Sequence, residues 1–246
     1  DLISERHIDQ VEKDVRELKK AYPHKVVGAS IMGQKKEHWQ ALVRRLEAAG
    51  VDFIECSFSC PHGMPERGMG STIGQDAELT ERTARWVKEA AARVPVSIKV
   101  TPLVADLPHI AHAVQKSGAD AITAINTVKC LIGVDIDNFV PYPVVGGKSS
   151  YGGYSGAAVK PISLRCVAEI AKAVDMPISA TGGITTWRDA VEFLLCGARN
   201  LQVCTAAMKH GFRIIEDLTD GLSVYLEDKG MSSVEELVGL ALPNIV

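Results

Sequence analysis

Parallel strands joined by helices, an α/β fold, are predicted by two features of this 246-residue chain. Short apolar runs alternate strictly with helical patterns, which lays strands side by side in one direction with crossover helices between them. Three segments, RRLEAAGVDFIECSF, AVQKSGADAITAINT and EFLLCGARNLQVCTA, also form a weak internal repeat of helix end, glycine and strand. A third feature bears on how the sheet ends. Cys60, Lys99, Asn126, Gly182 with Gly183, and Thr205 fall at the carboxyl ends of successive strands. Six strands alone would suit an open doubly wound sheet; unusual residues gathered from many strand ends describe the mouth of a (β/α)8 barrel.

The elements follow in order. A helix is expected over Glu5 to Ala21, then strands over Val26 to Ile31 and Asp52 to Phe58, separated by the helical pattern EHWQALVRRLEAAG. Gly50, Gly118 and Gly197 hold the position at which a left-handed residue stops a helix. The helix AELTERTARWVKEAAARV leads to a strand over Val96 to Val100, and HIAHAVQKSG to one over Ala121 to Ile125. ISLRCVAEIAKAV leads to Ile178 to Thr181, and WRDAVEFLLCG to Leu201 to Cys204, with a helical tail after Thr205. Two of these strands enter through proline (VPVSIKVTP and MPISATGG), where the first residue need not donate to the ladder. The longest connection, Thr127 to Lys160, carries YPVVGG and YGGYSG; such a connection is usually functional or disordered. The whole chain, 1–246, is expected to form a single domain.

Composition narrows the function. With 46% apolar and 23% charged residues and a net charge of −3, nothing favours nucleic acid or an anionic membrane as partner. No apolar stretch reaches the ~20 residues of a membrane helix, and the start DLISERHIDQ has no export pattern, so a cytoplasmic protein is expected. Its six cysteines lack C-x-x-C pairs and read as reduced thiols, with no zinc or iron–sulfur ligand set within the chain.

The densest chemistry is ECSFSCPHGMPERGMG, Glu55 to Gly70. Cys60 follows a strand and precedes proline; it is either a proton donor at a strand end or a small buried hydrophobe. Cys56 belongs to the core, and Cys56, Cys60 and His62 make too small a set for a metal site. The glycines at 63, 68, 70 and 74 suit a lid that closes over substrate, while Glu66 and Arg67 suit a solvated loop. Lys99, inside an apolar strand, needs an anionic partner: a negatively charged cofactor, or a carboxylate such as Glu55. Asn126 and Thr127 serve either a planar polar substrate or a turn. Gly182 and Gly183 permit close backbone approach to a ligand, at a strand end that leads into a helix N-terminus.

SCPHGMPERGMG, IKVTP, AINTV, YGGYSG, ATGGI and QVCTAAMKHGFRIIEDL, in this order and spacing, resemble the flavin-binding barrel of the dihydropyrimidine dehydrogenases. The likeness runs from about Glu5 to Leu226 and is nearest to the catalytic subunits of the bacterial NAD-dependent enzymes; the dihydroorotate dehydrogenases share the barrel. The resemblance implies an FMN-binding TIM barrel that reduces the 5,6 double bond of uracil or thymine, with hydride from flavin and a proton from Cys60. It implies that Ser59 and His62 flank Cys60, that Lys99 contacts the flavin, and that Asn126 and Thr127 hold the pyrimidine. It further implies that Ser155, Gly156, Gly182, Gly183, Cys204 and Thr205 line the FMN phosphate pocket. Electrons from NAD(P)H would arrive through an iron–sulfur flavoprotein partner in an oligomeric complex.

Three departures qualify this. Ser57 stands where the family usually has asparagine, which removes a carboxamide that could pair with a pyrimidine edge. IMGQKKEHW lacks an asparagine found in the animal enzymes. The family's first two strands and its iron–sulfur segment are not represented, so the chain is expected to be a fragment holding strands three to eight. The same barrel acting on another conjugated carbonyl or heterocycle, and a non-catalytic flavin-binding or assembly subunit, are the alternatives.

Overall fold

The computed structural model describes residues 6–60 and 69–246. They divide into two compact units, Asp1–Val100 with His109–Thr123, and Thr101–Pro108 with Ala124–Val246.

In the first unit, α1 (Ile8–Ala21) carries Asp9 in its first turn and Lys19 and Lys20 in its last, which suits the helix dipole. Arg45 of α2 (Lys36–Ala49) joins both Asp9 and Glu12 of α1, so the two helices are linked by one guanidinium. The strand expected from Val26 begins later, as β1 (Gly28–Ile31). Asp52 explains the difference: its carboxylate takes the Val27 N–H at 2.7 Å and Lys19 Nζ at 2.9 Å, so a side chain replaces the ladder there. Gly50, at φ +104°, ends α2 as expected and turns the chain into β2 (Phe53–Ser57). A short helix that the sequence did not announce, α3 (Ser71–Gly74), precedes α4 (Ala77–Ala90), which Asp76 caps by accepting from Leu79 N at 2.9 Å. Then come β3 (Val96–Val100), α5 (Leu107–Lys116) and β4 (Ala121–Ala124), with the first two residues of α5 and the last of β4 assigned to the second unit.

The strands neighbour one another in the order β1, β2, β3, β4, with β1/β2 and β2/β3 parallel. Alternation sorts their side chains. Ile54, Cys56, Phe58, Val96, Ile98, Val100 and Ile122 are all buried, and Phe58 meets Trp39 of α2 edge to face at 5.4 Å. The other face is polar: Glu55 lies opposite Ser97 and Ser57 opposite Lys99, while Ser97 and Thr123 share a hydroxyl hydrogen bond of 2.8 Å.

Glu47, 8% exposed, closes the C-terminal end of α4. It accepts from the N–H groups of Ala92, Arg93 and Val94 at 3.2, 2.5 and 3.0 Å. Burial pushes its carboxyl up, but these backbone donors outweigh that and hold it below the ordinary glutamate range. A depressed folded value stabilises above the unfolded value and is lost as pH falls through the folded one. Glu47→Ala should therefore cost about 2 kcal/mol at pH 7 by leaving three N–H groups without their acceptor. In urea titrations the difference from wild type should shrink below about pH 4.3; a difference constant down to pH 3 would contradict this origin.

In the second unit the long connection is ordered rather than irregular. It holds β5 (Val128–Cys130), β6 (Gly133–Asp135), β7 (Val140–Tyr142), β8 (Val144–Val145), β9 (Lys148–Ser149) and β10 (Gly152–Tyr154). These pair antiparallel as β5/β10, β6/β7 and β8/β9. Gly146 and Gly147, at φ +57° and +77°, form the two-residue turn that joins β8 to β9, a conformation that matches strand twist and excludes most side chains. Strands of two or three residues are too short to show a period of two, which is why the sequence left them undefined.

A 3-10 turn over Ala157–Val159 opens α6 (Lys160–Ala173), followed by β11 (Ile178–Thr181) and α7 (Trp187–Leu195). Next are β12 (Asn200–Gln202), parallel to β11, then α8 (Thr205–His210) and α9 (Ile214–Lys229). Among the described residues no helix is long and apolar enough to cross a membrane.

Candidate functional site

The first unit places its polar residues around the end of β2. Ser57 closes the strand beside Lys99, and Phe58 N donates to Lys99 O at 3.3 Å, so β2 and β3 stay joined to that point. Ser59 and Cys60 follow, 1% and 3% exposed. Two backbone bonds hold this exit: Ser71 N donates to Cys60 O at 3.1 Å and Gly74 N to Phe58 O at 2.9 Å. Gly74 is required by proximity, since a Cβ there would sit 2.2 Å from Phe58 O. Thr80 Oγ1, donating to Ile73 O at 2.8 Å, ties the same short helix to α4.

Lys99 has the internal partner that the sequence offered as an alternative. Its Nζ lies 3.2 Å from Glu55 Oε1, with the side chains 19% and 9% exposed. The pair sits on the polar face of the sheet, with the ammonium beside the Glu55 carboxylate. Cys56 belongs to the core: burial first, and the Glu55 charge second, push its thiol well above the usual range, which suppresses thiolate chemistry. His62, Glu66 and Arg67, with Gly63 and Gly68, lie outside the described residues. Among those described, no group of three or more His, Cys, Asp or Glu could hold a metal ion.

The second unit collects the remaining candidates. Asn126 is 2% exposed, and its Oδ1 accepts from Thr127 N at 2.7 Å, which is the turn role; Thr127 in turn lies against Gly153 of β10. Ser155 and Thr205 meet through their hydroxyls at 3.2 Å. Gly156, at φ +93°, lies so close to Thr205 that a Cβ would come within 3.3 Å of its methyl group. Gly182 and Gly183, at φ +121° and +93°, form the turn after β11. A Cβ on Gly183 would lie 2.7 Å from the Lys160 backbone, and one on Gly182 would lie 3.0 Å from Ser163 Oγ. The segment 156–160 thus touches Thr205 at one end and Gly183 at the other. Cys204 is exposed, next to Thr205 at the start of α8.

Three further residues hold this region and were not singled out by the sequence. Ser163 Oγ donates to Thr181 O at 2.7 Å. Asp189 caps α7 and takes Lys160 Nζ at 2.7 Å. Burial raises the Asp189 carboxyl, yet the bonds from Lys160, Thr185 and Thr186 prevail and hold it far below the carboxylate range. The capping pattern T-x-x-D at Thr186–Asp189 was visible in the sequence. Nothing in the sequence linked Asp189 to Lys160.

A family model, dihydroorotate dehydrogenase, matches residues 4–226. The chain is 47% identical over 247 residues to the NAD-dependent dihydropyrimidine dehydrogenase subunit PreA of Escherichia coli K12, covering 99% of this chain and 60% of that protein. It is 43% identical over 213 residues to the catalytic subunit of dihydroorotate dehydrogenase B (NAD(+)) of Pyrococcus abyssi, covering 87% of this chain and 68% of that one. The crystal structure of the dihydroorotate dehydrogenase of Eimeria tenella in complex with ferulenol superposes with a TM-score of 0.74 at 20% identity, over 95% of this chain and 66% of that one. This last likeness shows the fold, the α/β barrel class expected in preference to an open sheet. Sequence and fold together show that the chain belongs to the dihydroorotate dehydrogenase family.

Proposed function

We propose that the protein is the FMN-binding catalytic part of an oxidoreductase that reduces the 5,6 double bond of uracil or thymine. The observation that carries this is the cradle in the second unit. Ser155 with Gly156, Gly182 with Gly183, and Thr205 come from separate stretches of chain; at the three glycines a Cβ would be tight against its neighbours, and at Gly183 it would collide with the Lys160 backbone. Backbone that carries no Cβ, part-exposed at Gly182 and Gly183 and with hydroxyls beside it, fits a phosphate. These residues and Cys204 would hold the FMN phosphate, and Lys99 would contact the flavin ring region. FMN, when bound, supplies the hydride chemistry.

The chain's own residues supply the rest. Cys60, flanked by Ser59 and His62, holds the proton delivered to the second ring carbon. Glu55 pairs with Lys99 and anchors its side chain. Asn126 and Thr127 bind the pyrimidine ring, with Asn126 Oδ1 committed to the Thr127 N–H. The Escherichia coli relative is named a subunit, which supports a partner protein. In this reading the partner is an iron–sulfur flavoprotein that passes on electrons from NAD(P)H within an oligomeric cytoplasmic complex.

Ser57 favours a second reading, the same chemistry on another conjugated ring such as orotate or dihydroorotate, in keeping with the name of the Pyrococcus abyssi relative. Reconstitution of the full-length complex with FMN should give a flavin absorbance band at about one per chain and turnover on uracil or thymine above that on dihydroorotate. Absence of bound flavin would overturn the proposal. Turnover on dihydroorotate alone would establish the second reading.

A further inference from the structure

The turn after β11 is held at both ends. Ser163 fixes its start through Thr181 O. At its far end one oxygen of Asp189, Oδ2, accepts from Thr185 N at 2.9 Å, Thr185 Oγ1 at 2.8 Å, Thr186 N at 2.7 Å and Thr186 Oγ1 at 3.0 Å. The other oxygen takes Lys160 Nζ at 2.7 Å, and the same ammonium lies 2.9 Å from Glu192 Oε2. Lys160 therefore meets this turn twice, with its backbone against Gly183 and with its side chain through Asp189.

We propose that Lys160 and Asp189 are positioning residues that set the Gly182–Gly183 turn, and that their pairing makes the protein prefer FMN over riboflavin. The inference rests on the reading of this turn as part of the phosphate cradle. Two carboxylates already neutralise Lys160, so it acts as a strut rather than as a cation for the phosphate. A backbone anion site binds well only if its N–H groups already point inward, because ordering a loose turn on binding subtracts from affinity. Riboflavin shares the ring and the ribityl chain but lacks the phosphate, so the ratio of the two affinities isolates the turn.

The test is titration of FMN and of riboflavin, followed by flavin fluorescence, into the apo form of the full-length protein and its variants. Lys160→Met and Asp189→Ala should each weaken FMN about 10- to 100-fold, the range expected for losing a charge-assisted hydrogen bond, with riboflavin affinity unchanged. Lys160→Arg should restore the preference. Asp189→Asn separates positioning from simple charge: removing a negative charge alone would strengthen FMN binding, whereas a loosened turn weakens it. Should Asp189→Ala fail to fold, Thr185→Ala removes one of the four contacts to Oδ2 and should give a smaller loss in the same ratio. Equal losses for both flavins, an unchanged ratio, or tighter FMN binding by Asp189→Asn would overturn the proposal. Wild-type protein that binds neither flavin would overturn the proposed function, and this inference with it; preference for FMN retained by every variant would overturn the inference alone.

Discussion

Cys60→Ala should lower turnover about 10²- to 10⁴-fold, the usual contribution of a general acid, while flavin remains bound. The expectation follows from position: Cys60 is 3% exposed just past the end of β2, with its carbonyl fixed by Ser71 N. That backbone bond does not involve the thiol, so the substitution leaves it in place. Alanine lacks a transferable proton, so the loss should fall on the chemical step and appear in kcat more than in KM. Cys56→Ala is the internal control. Its thiol is fully buried on the helix-covered face and should affect stability rather than turnover. Steady-state kinetics of both variants on the full complex, with the flavin absorbance band as the measure of occupancy, checks this. Unchanged turnover in Cys60→Ala would return that residue to a packing role.

Gly74→Ala should be nearly as damaging, for a mechanical reason. The added carbon would sit 2.2 Å from Phe58 O, and that oxygen already accepts the Gly74 N–H at 2.9 Å. Neither partner is a flexible side-chain end, so α3 must move away or the end of β2 must bend. Overpacking against backbone costs about 3 kcal/mol at the upper end of its usual range. Because Phe58 lies two residues before Cys60, a shift there also misplaces the proposed acid, and a displacement of ~1 Å can cost ~10² in rate. Urea unfolding should show the lower midpoint, and kcat should fall more than flavin content does. A variant with wild-type midpoint and kcat would show that the loop base tolerates the carbon.

Much of the scaffold was legible because its punctuation is strong. The strands entered through proline, Val96–Val100 and Ile178–Thr181, have the bounds that the sequence suggested. Strands bounded by softer signals are shorter than expected, as at Val26, where the Asp52 carboxylate takes over the backbone donor. The short pairs between β5 and β10 carry too few residues for any periodicity to register. Candidate site residues stood out where polar groups or glycines interrupt an apolar run, as at Lys99 and Gly182. What holds them was mostly hidden. Lys160 and Asp189 are 29 residues apart, and their meeting depends on how α6 and α7 flank β11. Glu55, by contrast, could be offered as a partner for Lys99 because a buried lysine demands a counter-charge.

The two-sided sheet of the first unit separates what selection can change from what it cannot. In β2 and β3 the buried apolar residues Ile54, Cys56, Val96, Ile98 and Val100 alternate with Phe53, Glu55, Ser57, Ser97 and Lys99. Substitutions in the second set leave the apolar core intact, so under the proposed function a change of substrate preference there would need little compensating stability. The exception is the Glu55 and Lys99 pair. Loss of either removes the ion pair that the other makes across the sheet, so those two positions are expected to change together.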